Sequence, residues 1–468
     1  MPSDRESHDP RIAAHAHRAT WRWHAWLGLL VAPVMLVLAI TGALYLYDTE
    51  IERAWYGPLM NVTPGPRPAS PDALEAAVHK AYPQATLASV AWPHDAAHVA
   101  TWTIADPQAG RLNVFVDPWT ARVLGVLPED WRLMRVIVRL HGELLAGRLG
   151  DGVVEAAASA GLVLAVSGLA LWWPKRWRLR AVFVPRLRAR GRAFWRDLHA
   201  VPSALLAAAL ALLVLSGLPW SGLWGERLAA LGTLSAATMP TPNFRDPPKL
   251  DEDASASPHA GHAAHQAHAA RETADVAKLP WTIRHSVAPQ LDAGADGTRI
   301  PLSSVMAIAG ARGLADAGPN LRVFYPDGPR GVYTISLVPA RAEGQRTVYL
   351  DPRDGRVIDD IGWSRYSPLG KAVEWGVEVH VGREYGEPNR LIALLVCLGL
   401  AVTSCAALVL WWTRRAPGTL GLPDAKGGRL PRWLLATLVA CGLLFPLLGV
   451  LLLVLAVADR QRSGRTRA

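Results

Sequence analysis

Five stretches of this chain are long and apolar enough to cross a hydrocarbon layer of roughly 30 Å, and they dictate everything else about the fold. They run over 25–47, 152–173, 199–224, 391–412 and 433–458, and only the second carries a charge, Glu155, near its start. Uniformly apolar helices of that length are not amphipathic core helices, so the sequence predicts a membrane protein built on an all-α transmembrane bundle of four core helices plus a fifth. Only 19% of the residues are charged, below the share of an ordinary soluble domain, which agrees. Residues 1–19 are polar, without an apolar core or small-residue cleavage site, so no cleaved signal peptide is expected.

Orientation follows from Lys and Arg in the short connections. The segment 174–198 (PKRWRLRAVFVPRLRARGRAFWRDL) and the link 413–432, with Arg414, Arg415, Lys426, Arg429 and Arg432, are strongly basic and are read as cytoplasmic. The N-terminus, 1–24, is then also cytoplasmic, and the long segments 48–151 and 225–390 face the periplasm. The expected location is the bacterial inner membrane. A fifth crossing would put the basic tail, 459–468, on the wrong side unless Pro446 breaks that span. The formal charge of +10 is thus an orientation signal, and nucleic acid is not an expected partner.

The chain also repeats itself. His24 precedes Thr41-Gly42 by 17 positions, as His199 precedes Ser216-Gly217, and His141 precedes Trp172-Trp173 by 31, as His380 precedes Trp411-Trp412. VFVDPWTARV at 114–123 answers VYLDPRDGRV at 348–357. An internal duplication is expected, each copy a hairpin of spans around an outer module. Patterning predicts an α+β module in each: a helix over 71–81 with strands near 88–92, 99–104, 111–116 and 122–127, then a helix near 302–311 with strands near 322–325, 332–337, 347–350 and 357–359. The second copy holds an Ala-, Pro- and Asp-rich insertion, 236–278, read as lacking a core. Its His259, His262, His265 and His268 stand three apart and could take Cu or Zn.

Four histidines, one beside each core span, are the candidate site. An ionisable ring at the end of an apolar helix is a functional hypothesis by default. At 1.5 Å per residue, the 17 positions from His24 to Thr41 span roughly 25 Å, so His24 cannot share an ion with His141. The spacing pairs His24 with His199 near the inner face, and His141 with His380 near the outer one. Two imidazoles without Cys or carboxylate partners suit haem iron better than zinc or calcium. No Cys-x-x-Cys-His occurs, so two non-covalent b haems are expected, acting in electron transfer. Gly28, Gly42, Gly168 and Gly217 could admit a macrocycle, and Arg22, Arg139, Arg148, Arg196 and Arg383 could meet its propionates.

At these residues the chain resembles a known family. RWHAWLGLLVAPVMLVLAITG, RLHGELLAGRLGDGVVE with SGLALWWPKR, DLHAVPSALL with LSGLPWSG, and VHVGREYGEPNR with LWWTRR are similar to the PepSY-associated transmembrane proteins, also called iron-regulated membrane proteins. The resemblance spans roughly 18–415. It implies four helices with two outer PepSY-type modules, and a ferric-siderophore reductase carrying two b haems on His24, His141, His199 and His380. The implied activity is transmembrane metalloreduction, moving electrons from an unknown cytoplasmic donor to a ferric siderophore or other metal chelate outside. Two alternatives stay open: a copper-linked reductase using the His-rich insertion, and a non-redox protein whose PepSY modules bind or inhibit a peptidase.

Overall fold

The computed structural model describes residues 10–93, 95–174, 182–235, 279–284, 286, 289–291, 299–314, 321–416, 418–419, 421 and 430–465. The chain divides into two compact units. One gathers 1–46, 137–227 and 390–468; the other gathers 47–136 and 228–389. The insertion 236–278, with His259, His262, His265 and His268, lies outside the described residues.

The first unit is helical. Its main helices are α1 (Pro10–Tyr45), α5 (Gly147–Trp172), α6 (Arg192–Gly217) and α10 (Glu387–Trp412), with α4 (Leu133–Glu143) leading into α5. Four helices are long and apolar enough to cross a membrane: Ala14–Tyr45, Gly147–Trp172, Arg192–Trp220 and Glu387–Trp412. They match four of the five expected spans. Their outward faces stay apolar, with Ile392 and Leu395 of α10 61% and 65% exposed, as a surface solvated by lipid tails requires.

The third span ends at Trp220, earlier than the expected 224. Helix α6 closes in a single tight turn, Leu218–Trp220, and a separate helix, α7 (Gly222–Ser235), follows. Pro219 cannot donate to the helix ladder, and its carbonyl lies 2.4 Å from where a Cβ on Gly225 would stand. Two carboxylates of α5 then cap the new helix: Asp151 Oδ2 accepts from Gly222 N (2.8 Å) and Glu155 Oε2 from Trp224 N (3.0 Å). That partnership explains the one acid inside an apolar run.

The expected fifth span, 433–458, is not one helix. It breaks into α11 (Arg432–Leu444) and α12 (Pro446–Arg465), with Phe445 extended between them (φ −117°, ψ 93°). A residue before proline is pushed out of the helical region, and proline has no N–H to continue the ladder. The two helices fold back on each other so tightly that a Cβ on Gly449 would lie 2.5 Å from the Gly442 carbonyl. Leu434, Leu438, Phe445, Leu448, Leu452 and Leu455 share a core with Leu27 and Val31 of α1 and Ala157, Ala160 and Val163 of α5. Asp459 of α12 meets Arg22 of α1 at 3.0 Å. The last helix therefore returns to the end of α1 that carries His24.

The second unit is a sheet covered by helices. Its strands are β1 (Thr86–Ala91), β2 (Ala100–Asp106), β3 (Gly110–Val116), β4 (Val123–Pro128), β5 (Leu321–Phe324), β6 (Tyr333–Leu337), β7 (Arg346–Leu350) and β8 (Val357–Gly362). All eight expected strands are present within a few residues. What differs is their assembly. Two separate sheets were expected; the strands form a single one, ordered β4-β3-β2-β1-β5-β6-β7-β8 and antiparallel throughout. At the seam, Ser89 faces Phe324, Val90 faces Val323 and Ala91 faces Arg322. The physical reason is that β1 and β5 would otherwise each leave a row of unpaired backbone groups at an edge.

Helices α3 (Pro71–Ala81) and α8 (Leu302–Ala311) lie on one face of this sheet. Leu74 and Val78 of α3 and Leu302, Val305 and Ala309 of α8 enter one core with Val90, Trp102, Ile104, Val323, Ile335 and Val348. Polar bonds tie the two halves. Asp72 of α3 accepts from Ser303 N (2.8 Å) at the start of α8. The Tyr325 hydroxyl accepts from Trp102 Nε1 (3.2 Å) and donates to Glu75 (2.9 Å). Burial raises the Glu75 carboxyl above the usual range and the Tyr325 phenol with it.

The opposite face carries a buried carboxylate in each half. In the first, Glu52 of α2 (Asp48–Trp55) pairs with Arg132, whose Nε lies 2.9 Å from Oε1; Arg132 also donates to Asn113 (3.3 Å). In the second, Glu374 of α9 (Pro368–His380) accepts from Thr282 N (2.8 Å), Thr282 Oγ1 (2.7 Å) and Gln345 Nε2 (3.3 Å). Burial wins over these neutral donors and the charge of Arg284 and raises the Glu374 carboxyl.

Candidate haem-binding site

Helices α1, α5, α6 and α10 bring three of the four sequence-selected histidines into defined settings inside the first unit. His24 on α1 and His199 on α6 come together, with ring centroids 6.1 Å apart and planes at 69°. His24 Nδ1 lies 2.9 Å from Ser167 Oγ on α5. His199 Nδ1 lies 3.2 Å from the Thr403 carbonyl on α10. Each ring is thus gripped through Nδ1 by a helix other than its own, and neither Nε2 takes part in those contacts.

His141, near the end of α4, repeats the arrangement at the far end of α1. Its Nδ1 lies 2.9 Å from Thr41 Oγ1. Since Thr41 stands 17 residues beyond His24, the two settings are roughly 25 Å apart along the helix. This excludes a shared ion between His24 and His141. His380 is the last residue of α9 and belongs to the second unit.

Small residues make room for the rings. A Cβ on Gly168 would stand 3.1 Å from His24 Cε1, tighter than nearly all real contacts. On Gly42 it would lie 3.5 Å from both His141 Cε1 and Cys397 Sγ. Gly28 instead faces Leu164 at 3.7 Å, which is ordinary helix packing. The five arginines proposed for propionates all have carboxylate partners: Arg22 with Asp459, Arg139 with Glu143, Arg148 with Glu226, Arg196 with Asp197 and Arg383 with Glu378. Arg148 and Glu226 are largely exposed, and such a pair contributes little.

Among the described residues no cluster of three or more His, Cys, Asp or Glu side chains converges as a metal-binding set. The donor set near His24 is therefore two imidazoles, unlike the three or four protein ligands of a zinc site. Sequence reasoning selected the histidines but passed over the groups that hold them. Ser167 and Thr41 each precede a glycine, as Ser216 does, and that hydroxyl–glycine repeat at the span ends was the available signal. Thr403 acts through its backbone, which no sequence pattern reveals.

The family profile described as the PepSY-associated TM region matches residues 21–414. A comparison with curated proteins finds no match to the chain.

Proposed function

The chain belongs to the PepSY-associated transmembrane family, and from that premise we propose that it is a haem b electron-transfer protein of the bacterial inner membrane that reduces a ferric chelate of the siderophore class. The observation that carries this reading is the His24–His199 pair. The two rings stand close enough for both imidazoles to hold one ion. The separation of 6.1 Å suits that arrangement. Both rings are held by Nδ1, which reserves Nε2 for a ligand.

His24 and His199 would hold the iron, and the sequence spacing offers His141 and His380 as the further ligand candidates. Held by imidazole nitrogens, the group would supply one-electron exchange between Fe³⁺ and Fe²⁺. The protein's own contribution is to fix the rings, through Ser167, Thr403 and Thr41, and to keep water from them. Leu27 and Val163, in the core beside His24, are 1% and 3% exposed. Gly168 keeps the wall beside His24 free of a side chain. For a ferric chelate with hard anionic oxygen ligands, one electron lowers the charge density of the iron and loosens the complex. No acid–base machinery is needed.

Orientation and ancestry belong to the same proposal. The basic segments 174–198 and 413–432 argue for a cytoplasmic His24 end, and the contact of Asp459 with Arg22 supports it by bringing Arg460 to that end. The mirror-like strand order and the helix preceding each set of four strands support an internal duplication.

The reading is tested in proteoliposomes with reductant sealed inside and a ferric hydroxamate chelate outside, read by a ferrous-specific chromogenic chelator. Ferrous iron is expected outside with the wild-type chain and is expected to fall at least tenfold with His24→Ala or His199→Ala. Equal rates in wild type and both variants would overturn it.

A further inference from the structure

We infer that Ser167 and Thr41 are positioning residues that fix the tautomer of His24 and His141, each tuning one of the two haem centres separately; the inference rests on the reading above. The argument is a proton count. A hydroxyl has one proton and can accept through its lone pairs. Ser167 Oγ spends its proton on the Val163 carbonyl of its own helix, at 2.7 Å. Thr41 Oγ1 spends its proton on the Val37 carbonyl, also at 2.7 Å. Toward the imidazoles, 2.9 Å away in both cases, each oxygen can therefore only accept. The ring nitrogen facing it must carry the hydrogen, so His24 and His141 are Nδ1–H tautomers with a bare Nε2.

His199 reaches the same state by a different partner. A carbonyl can only accept, so the Thr403 carbonyl, 3.2 Å from His199 Nδ1, also demands Nδ1–H there. Three rings, on three helices, are locked in one tautomer by three acceptors. Ser167 and Thr41 are 1% and 3% exposed, so water does not replace them if they are removed. The helices gain nothing obvious from these hydroxyls, since a serine or threonine bonding back to its own helix slightly weakens it. Their geometry serves the rings.

An Nδ1–H that donates to a fixed acceptor makes the imidazole a stronger donor through Nε2, and a stronger donor favours Fe³⁺ over Fe²⁺. Removing the acceptor therefore raises the midpoint potential of that centre alone.

The test is a spectroelectrochemical titration of detergent-purified full-length protein. Ser167→Ala is expected to raise one of the two midpoint potentials and leave the other unchanged; Thr41→Val is expected to raise the other. Ser167→Thr and Thr41→Ser restore wild-type values. A second readout needs no haem: ¹⁵N-histidine NMR of the full chain produced without haem is expected to show Nδ1–H at His24, His141 and His199. Ser167→Ala and Thr41→Val should each disturb one of those signals. Potentials unmoved by both variants, a shift of both centres by either one, or Nε2–H signals in the wild type would overturn the inference. A wild-type chain that takes up no haem but shows the Nδ1–H signals would overturn the haem reading and leave the tautomer lock standing.

Discussion

The carboxylates of the sheet unit and the histidines of the helical unit are held in opposite ways. In the sheet unit each carboxylate meets partners from the chain itself. Glu52 meets Arg132, Glu75 meets Tyr325, and Glu374 takes three hydrogen bonds from Thr282 and Gln345. In the helical unit the half-buried rings of His24, His199 and His141 each have Nδ1 committed to another helix. A closed network repays the cost of burying polarity and fixes the fold. A ring held through Nδ1, as at His24 and His199, keeps Nε2 for the proposed haem. The contrast separates carboxylates that fix the fold from histidines that the proposed haem would use.

Opening a closed network should carry the largest penalty. Arg132→Ala strands Glu52, which is 7% exposed, without its cation. A loss of about 3 kcal/mol is expected in urea unfolding of the full chain followed by near-UV circular dichroism, the low end of the range for breaking a buried pair. A loss under about 1 kcal/mol would mean that Glu52 is not held as a closed pair. Arg132→Ala should leave the optical signature of the helical unit unchanged.

A smaller effect separates the two halves of the sheet. Burial raises the Glu374 carboxyl against its neutral donors and the charge of Arg284, so the fold favours the protonated form. Its stabilising contribution is complete below the unfolded carboxyl range near 4.3 and is lost as pH rises through the higher folded value. Stability of the wild type is expected to decline from pH 5 to pH 8, with a slope of at most about 1.4 kcal/mol per pH unit from this group. Glu374→Gln, which keeps a neutral acceptor, should flatten that decline. An identical pH profile in the variant would remove Glu374 as its source. Glu75 and Glu378 are raised for the same reason, so some slope remains.

Much of this was legible before any coordinates. Alternating side chains fixed β1 to β8 to within a few residues, because burial of one face leaves a period of two in the sequence. The run from Gly152 to Trp173 and its counterparts announced the spans. What stayed hidden was long-range. Pairing of Ser89, Val90 and Ala91 with Phe324, Val323 and Arg322 joins strands more than 200 residues apart, and no local pattern records an edge that finds a partner. The break at Phe445-Pro446 was visible as a proline, but its outcome depended on Asp459 finding Arg22. Among the site residues, the histidines stood out by their repeat. Thr41 stood out only as a landmark of that repeat and Ser167 not at all, since a hydroxyl in an apolar helix reads as one that bonds back to its own backbone.

The claim that matters most is that His24 and His199 hold one iron between them. The most direct test is the optical spectrum of detergent-purified protein, with haem counted per chain, for the wild type and for His24→Ala and His199→Ala. Two haems per wild-type chain are expected, with a Soret band that shifts on dithionite reduction, and one haem lost in each variant, the same one in both. A colourless wild-type protein, or variants that keep both haems, would contradict it.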